Sequence, residues 1–225
     1  LTAASTSSSA ARRLRAASTA CVTCCCPLGS ATDEEAVTAA LRDIDTAYYL
    51  LHSMSTATDF AAVESEMATV FARSAATAGV RQIVYLGGIA NDERSSTHLA
   101  SRMKTGEVLA GSGAPVVELR SGVIIGSGSA SFEMLRHLTH RLPVMTTPKW
   151  VKNRTQPIAI RDVLYYLAEC AALPEPVSGV FDIGGPEVLT YEGMMQTFAQ
   201  ISGLRRRLIV KVPVLTPKLS SLWIG

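Results

Sequence analysis

The sequence predicts an α/β fold with a mainly parallel sheet, and three observations carry that expectation. Short apolar runs such as Gln82-Ile83-Val84-Tyr85-Leu86 and Val116-Val117-Glu118-Leu119-Arg120 alternate with longer stretches of helical spacing. These runs exit into glycine, at Gly87-Gly88 and at Gly122, Gly126 and Gly128. The segment between them, from His98 to Ser112, is permissive for helix, so strand, helix and strand make one βαβ unit. In sheets of that kind ligands sit outside the carboxyl ends of the strands. A binding site is therefore expected within residues 81–128.

The elements follow in order. Thr32-Asp33-Glu34-Glu35 has the form of a capping box, with Thr32 as N-cap and a helix running to about Arg42. Residues 45–51 read as a buried strand that stops at His52-Ser53-Met54. Phe60, Val63, Met67, Val70 and Phe71 fall at helical spacing across 59–78, and Gly79 takes the left-handed position that closes such a helix. After the central unit, a helix is expected over 131–140, then a loop with a short strand over 142–153, where Pro143, Pro148 and Trp150 sit. Residues 156–160 read as a strand, followed by a helix from Arg161 or Asp162 to Leu173. A strand over 180–183 closes at Gly184-Gly185-Pro186. Thr190 caps a helix that ends before Gly203, and 208–212 is the last strand.

Composition narrows the function. Of the 225 residues, 48% are hydrophobic and 18% charged, which suits one sizeable core. The formal net charge is only +2, with Lys and Arg scattered, which argues against a nucleic-acid partner. No apolar run reaches the roughly 18–20 residues needed to span a bilayer, and a cytoplasmic location is expected. Four of the five cysteines lie between Cys21 and Cys26, but a structural zinc site needs a second ligand pair elsewhere, and the remaining Cys170 sits in an apolar helix. His137 and His140 lie three apart with no further ligand in view, so a solvated helix face is the stronger reading and no metal is expected.

Residues 1–31 differ from the rest. They hold no Asp or Glu, three arginines (Arg12, Arg13, Arg15) and an excess of Ser, Thr and Ala. Three readings stand side by side: an organellar transit peptide, a low-complexity tail, or a stretch read out of frame from a GC-rich gene. The third is preferred, for a reason given below. With few large apolar residues to bury, residues 1–28 are expected to show little order. The domain plan is then 1–31 as this segment, 32–212 as the α/β domain, and 213–225 as the start of a truncated further region, the whole reading as a fragment.

From Thr32 onward the chain resembles the extended and atypical short-chain dehydrogenase/reductases, the epimerase-like NAD(P)-binding Rossmann proteins. The likeness rests on several motifs in the family's order. Tyr48-Tyr49-Leu50-Leu51-His52-Ser53 is similar to the fourth strand and its cofactor-facing end, and Tyr85-Leu86-Gly87-Gly88 stands where the fifth strand ends. Leu119-Arg120-Ser121-Gly122-Val123-Ile124-Ile125-Gly126 resembles the strand whose exit touches the nicotinamide. Gln156-Pro157-Ile158-Ala159-Ile160-Arg161-Asp162-Val163 and Phe181-Asp182-Ile183-Gly184-Gly185-Pro186 match two later signatures. The resemblance implies a Rossmann-like, doubly wound sheet and a cofactor, NADP or NAD. That cofactor would lie along Leu50, His52, Ser53, Met54, Leu86, Gly87, Gly88, Arg102, Arg120, Ser121 and Val123.

The departures are equally specific. The family's Tyr-x-x-x-Lys is replaced by His98 and Arg102 at the same spacing. His98 can exchange protons near neutrality and is the candidate catalytic acid/base. Arg102 can donate to ribose hydroxyls but keeps a fixed charge and cannot shuttle protons. The bland alternative, in which His98 only opens a helix and Arg102 is structural or binds cofactor, is the one the chemistry favours. Gly87 and Gly88 offer no hydroxyl where the family has serines. The dinucleotide glycine fingerprint, which brings backbone and helix N-terminus to the pyrophosphate, belongs in residues 1–25, yet no glycine precedes Gly29. That gap is why the frame-shifted reading is preferred.

Two functions follow from the resemblance. One is an NAD(P)-binding oxidoreductase or epimerase acting on a small molecule. The other is a non-catalytic NAD(P)-binding redox sensor or assembly module, which the missing Tyr and Lys favour.

Overall fold

The computed structural model describes residues 19–21, 30–51, 60–89, 97–147 and 149–211. The chain divides into two compact units: Leu1–Ser121 with Asp162–Ile183, and Gly122–Arg161 with Gly184–Gly225.

The first unit is a five-stranded, wholly parallel sheet. Its strands are β1 (Thr19–Cys21), β2 (Thr46–Tyr49), β3 (Gln82–Gly88), β4 (Val116–Ser121) and β9 (Gly179–Ile183), and they lie in that order. The mixed α/β class and mainly parallel sheet expected from the sequence are thus present. Strand β1 falls in the segment for which composition predicts little order, and it pairs Thr19 with Thr46 and Cys21 with Tyr48. Thr-Ala-Cys is too short and too small to mark a strand by period or bulk. Parallel pairing beside β2 is a tertiary choice that local sequence does not announce.

Helix α1 (Glu34–Ala40) starts one residue later than the capping-box reading implies. Asp33 is the N-cap, its carboxylate accepting from the backbone N–H groups of Glu35 and Ala36. Thr32 instead shares a hydroxyl contact of 2.7 Å with Ser30. Helix α2 (Phe60–Ala78) forms where its spacing predicts and buries Val70 and Phe71, whereas Val63, expected on the same face, is exposed; Gly79 closes the helix at φ +71°. Helix α3 (Thr97–Ala110) joins β3 to β4. One face of the sheet packs on these three helices: Ala47, Tyr49, Ile83 and Tyr85 meet Val37, Leu41, Phe71 and Leu109 in one core. Tyr49 and Phe71 meet edge to face with centroids 5.0 Å apart, worth about 0.5–1.5 kcal/mol beyond burial. On the opposite face lies α5 (Ile160–Ala171), with Val163, Leu167 and Ala171 buried and the Tyr48 hydroxyl donating to the Leu167 carbonyl at 2.8 Å.

At the amino end of β3 the fully buried Gln82 acts as a staple. Its Nε2 shares two N–H groups among the carbonyls of Ile83, Pro115 and Val177, each at 3.0 Å, and its Oε1 accepts from the Val177 N–H at 2.8 Å. One side chain so ties β3 to the segments entering β4 and β9.

The second unit is made of short pieces. Strand β5 (Ile124–Ile125), unread in the sequence, pairs in parallel with β8 (Ile158–Ala159). Strand β6 (Val144–Thr147) pairs in parallel with β11 (Leu208–Lys211), and β7 (Arg154–Thr155) pairs antiparallel with β10 (Leu189–Thr190). Helix α4 (Ala130–Arg141) is capped by Ser129, and α6 (Tyr191–Ile201) by Thr190, the cap expected from the sequence. Val123, Leu135, Met145, Met194 and Met195 form this unit's core. Among the described residues, no helix is long and apolar enough to cross a membrane.

Candidate functional site

The carboxyl ends of β3 and β4, with the first turns of α3 beside them, gather most of the described residues that the sequence singles out. Gly87 pairs with Arg120 and Gly88 with Ser121 across the two strands. Ser121 is buried, and its carbonyl accepts from the Ile89 N–H at 3.0 Å, which carries the pairing one residue past β3. A Cβ built on Gly88 would stand 2.8 Å from Leu99 Cδ1 and 3.9 Å from Arg102 Cδ. The Leu99 side chain at the start of α3 therefore packs against the bare backbone at the tip of the strand. His98 is the second residue of that helix, one turn before the half-buried Arg102.

The other sequence-marked residues are dispersed. Leu50 follows β2 directly and is exposed, while Leu86 is half-buried and alternates with Gly87 across the sheet. His52, Ser53 and Met54 lie outside the described residues. Val123 belongs to the second unit, where it is part of the core.

Beneath the strand tips lies a set of buried polar side chains that the sequence reading did not single out. Tyr85 projects under α3 and its hydroxyl donates to the Arg102 carbonyl at 2.9 Å. Burial pushes the Tyr85 phenol up to about 12; the Arg102 cation pulls it back, and the Glu118 and Glu64 carboxylates push it further. Tyr49, with its ring centroid 6.0 Å away, is raised still more strongly, chiefly by burial. Glu64 of α2 accepts a hydrogen bond from the Ser101 hydroxyl of α3, so a buried carboxylate joins the two helices. Glu118 of β4 accepts from Arg120 Nε at 2.7 Å; the carboxylate side chain is 6% exposed and the arginine side chain 29%. That hydrogen bond raises the Arg120 pKa.

A signal for the last pair was present in the sequence. Glu118 and Arg120 are two apart in an otherwise apolar strand, which puts both on one face. Glu64 and Ser101 carry no comparable signal, because their meeting depends on how α2 and α3 pack. Among the described residues, no three His, Cys, Asp or Glu side chains gather as metal ligands would.

Chemically, the arrangement offers two guanidinium groups beside glycine-lined strand ends and no hydroxyl on Gly87 or Gly88. It can hold an acceptor-rich, anionic ligand.

No protein-family model and no curated protein sequence matches the chain. Solved structures match its fold. UDP-N-acetylglucosamine 4-epimerase from Bacillus cereus is 16% identical, with a TM-score of 0.66 over 88% of this chain and 77% of that one. MoeE5, solved in complex with UDP-glucose and NAD, is 15% identical, with a TM-score of 0.68 over 92% of this chain and 81% of its own. A dTDP-4-dehydrorhamnose reductase from Bacillus anthracis str. Ames, solved with NADP, is 10% identical, with a TM-score of 0.68 over 84% and 74%. The chain thus has the fold of NAD(P)-dependent epimerases, dehydratases and reductases. At these identities the likeness is one of fold.

Proposed function

We propose that the chain is the cofactor-binding part of an NAD(P)-dependent oxidoreductase or epimerase, with the nicotinamide cofactor lying across the carboxyl ends of β2, β3 and β4. The observation that carries this reading is the closure of α3 on the tip of β3, which brings Arg102 to Gly88. Arg102 donates to the ribose and phosphate oxygens of the cofactor, and Arg120 and Ser121 border the same strand end. His98, one turn earlier, exchanges the substrate proton while the cofactor supplies hydride chemistry. The substrate is a small molecule. Nucleotide sugars are the first class to screen, because the structural neighbours MoeE5 and WbmG were solved with UDP-glucose and UDP respectively. NADP and NAD are both carried as cofactors, the neighbours being solved with one or the other.

A second reading, a non-catalytic NAD(P)-binding sensor or assembly module, is favoured by one observation: the strand end is Gly87-Gly88, with no hydroxyl to polarise a carbonyl. Titration with NADPH and NADH, followed by hydride exchange between labelled cofactor and candidate sugars, separates the two. Binding with exchange that His98→Ala abolishes supports the enzyme. Binding without exchange supports the module, and no binding of either nucleotide contradicts both.

A further inference from the structure

Glu118 is an unusual residue for its place. It lies in the middle of β4, on the face that packs under α3, and is 5% exposed. Its carboxylate sits where two other residues lack side chains. A Cβ on Gly87 of β3 would stand 2.9 Å from Oε1, and a Cβ on Gly106 of α3 would overlap the carboxylate outright. Glycine inside a helix or a strand costs stability, and a buried ion pair is no more stabilising than a well-packed apolar pair. A leucine at 118 facing alanine at 106 would make a simpler core. The arrangement therefore answers to something other than stability, and what it produces is a fixed arginine. Oε1 takes the Arg120 Nε–H at 2.7 Å, a bond that uses neither terminal nitrogen of the guanidinium, while Asp182, the residue paired with Arg120 on β9, adds a second, longer-range carboxylate charge. The Arg120 Cγ lies 3.6 Å from the Cβ position of Gly87, so the side chain starts at the tip of β3.

We infer that Glu118 is a positioning residue, held between Gly87 and Gly106, that orients Arg120 so its terminal amino groups meet the phosphate or ribose oxygens of a dinucleotide. This rests on the cofactor reading above. It also opposes a simpler electrostatic expectation. A carboxylate beside Arg120 weakens the positive field, so if charge alone governed binding, removing Glu118 would tighten an anionic ligand. Orientation outweighs charge here because the guanidinium acts through directed, paired hydrogen bonds, and a free arginine side chain must be ordered anew on binding.

The test titrates the full chain with NADPH and NADH, read by nucleotide fluorescence, for wild type, Glu118→Gln, Glu118→Ala, Arg120→Ala and the Glu118→Ala/Arg120→Ala double variant. Glu118→Ala should weaken binding about tenfold, and Glu118→Gln, which keeps an acceptor oxygen, only about threefold. In the Arg120→Ala background, Glu118→Ala should add nothing, since it acts through the arginine. Unchanged or tighter binding by Glu118→Ala overturns the inference, as does a full Glu118→Ala effect without Arg120. If wild type binds neither nucleotide, the cofactor reading fails and the ligand role of Arg120 falls with it. The cradle is judged separately by thermal unfolding: Gly106→Ala should lower the midpoint in wild type and recover in Glu118→Ala. Absence of recovery overturns the seating of the carboxylate.

Discussion

The Tyr85 hydroxyl donates to the main-chain carbonyl of Arg102 across 2.9 Å, tying the middle of β3 to the second turn of α3. A buried phenol thus holds the backbone of the residue proposed to meet the cofactor. Its stability contribution depends on pH in a defined direction. The folded-state pKa is raised from the ordinary value of 10.0 to about 12, so its contribution is complete below pH 10 and is lost as pH rises towards 12. The gap corresponds to on the order of 3 kcal/mol. Urea unfolding at pH 9 and pH 11.5 should show a steep alkaline loss in wild type and a shallower one in Tyr85→Phe. Equal slopes would mean that the phenol is not buried as described.

Gln82 should be among the least replaceable residues of the first unit. Gln82→Leu keeps the volume but leaves the Val177 N–H without its acceptor, at a cost of about 1–3 kcal/mol. Gln82→Glu should be worse, because a carboxylate would face the three carbonyls of Ile83, Pro115 and Val177 in a site that is 1% exposed. Chemical denaturation of the two variants checks the order. A Gln82→Glu variant more stable than Gln82→Leu would contradict it.

Ser101→Ala removes the hydroxyl that bonds the Glu64 carboxylate between α2 and α3. Hydrogen bonds to a charged group are worth about 1.5–3 kcal/mol, so the loss should be of that size. Ser101→Thr should retain most of it. Amide hydrogen exchange should localise the Ser101→Ala effect to faster opening of α3; uniform acceleration over the unit would speak for a general packing defect instead.

How far the structure was legible varies residue by residue. Gly79 at φ +71° and Thr190 as a helix cap followed from local rules, which need only a few neighbouring residues. Asp33 displaced Thr32 as N-cap because both residues can cap and the choice turns on one residue of phase. Gln82 reads as part of an apolar run, since three of its four hydrogen bonds reach segments 33 and 95 residues away. Of the site, Gly87, Gly88, Arg120 and Ser121 come together because strand order in a parallel sheet sets them side by side, and Arg102 joins them because the helix that follows β3 packs back on its tip. Tyr85, Glu64 and Ser101 escaped notice because a strand tyrosine or a helix serine is ordinary until its packing partner is known. Glu118 was within reach, as a lone acid two places before an arginine on one strand face.

Arg102 is proposed to stand at a nicotinamide cofactor. The most direct measurement is a parallel NADPH titration of wild type, Arg102→Ala and His98→Ala. Residues 1–28 contain no glycine for a pyrophosphate turn, so wild-type binding should be weak but saturable. Loss of a charged hydrogen bond worth roughly 1.5–3 kcal/mol should weaken Arg102→Ala about tenfold to a hundredfold, with His98→Ala close to wild type. Equal affinity for wild type and Arg102→Ala, or no saturable binding by wild type, would contradict the account.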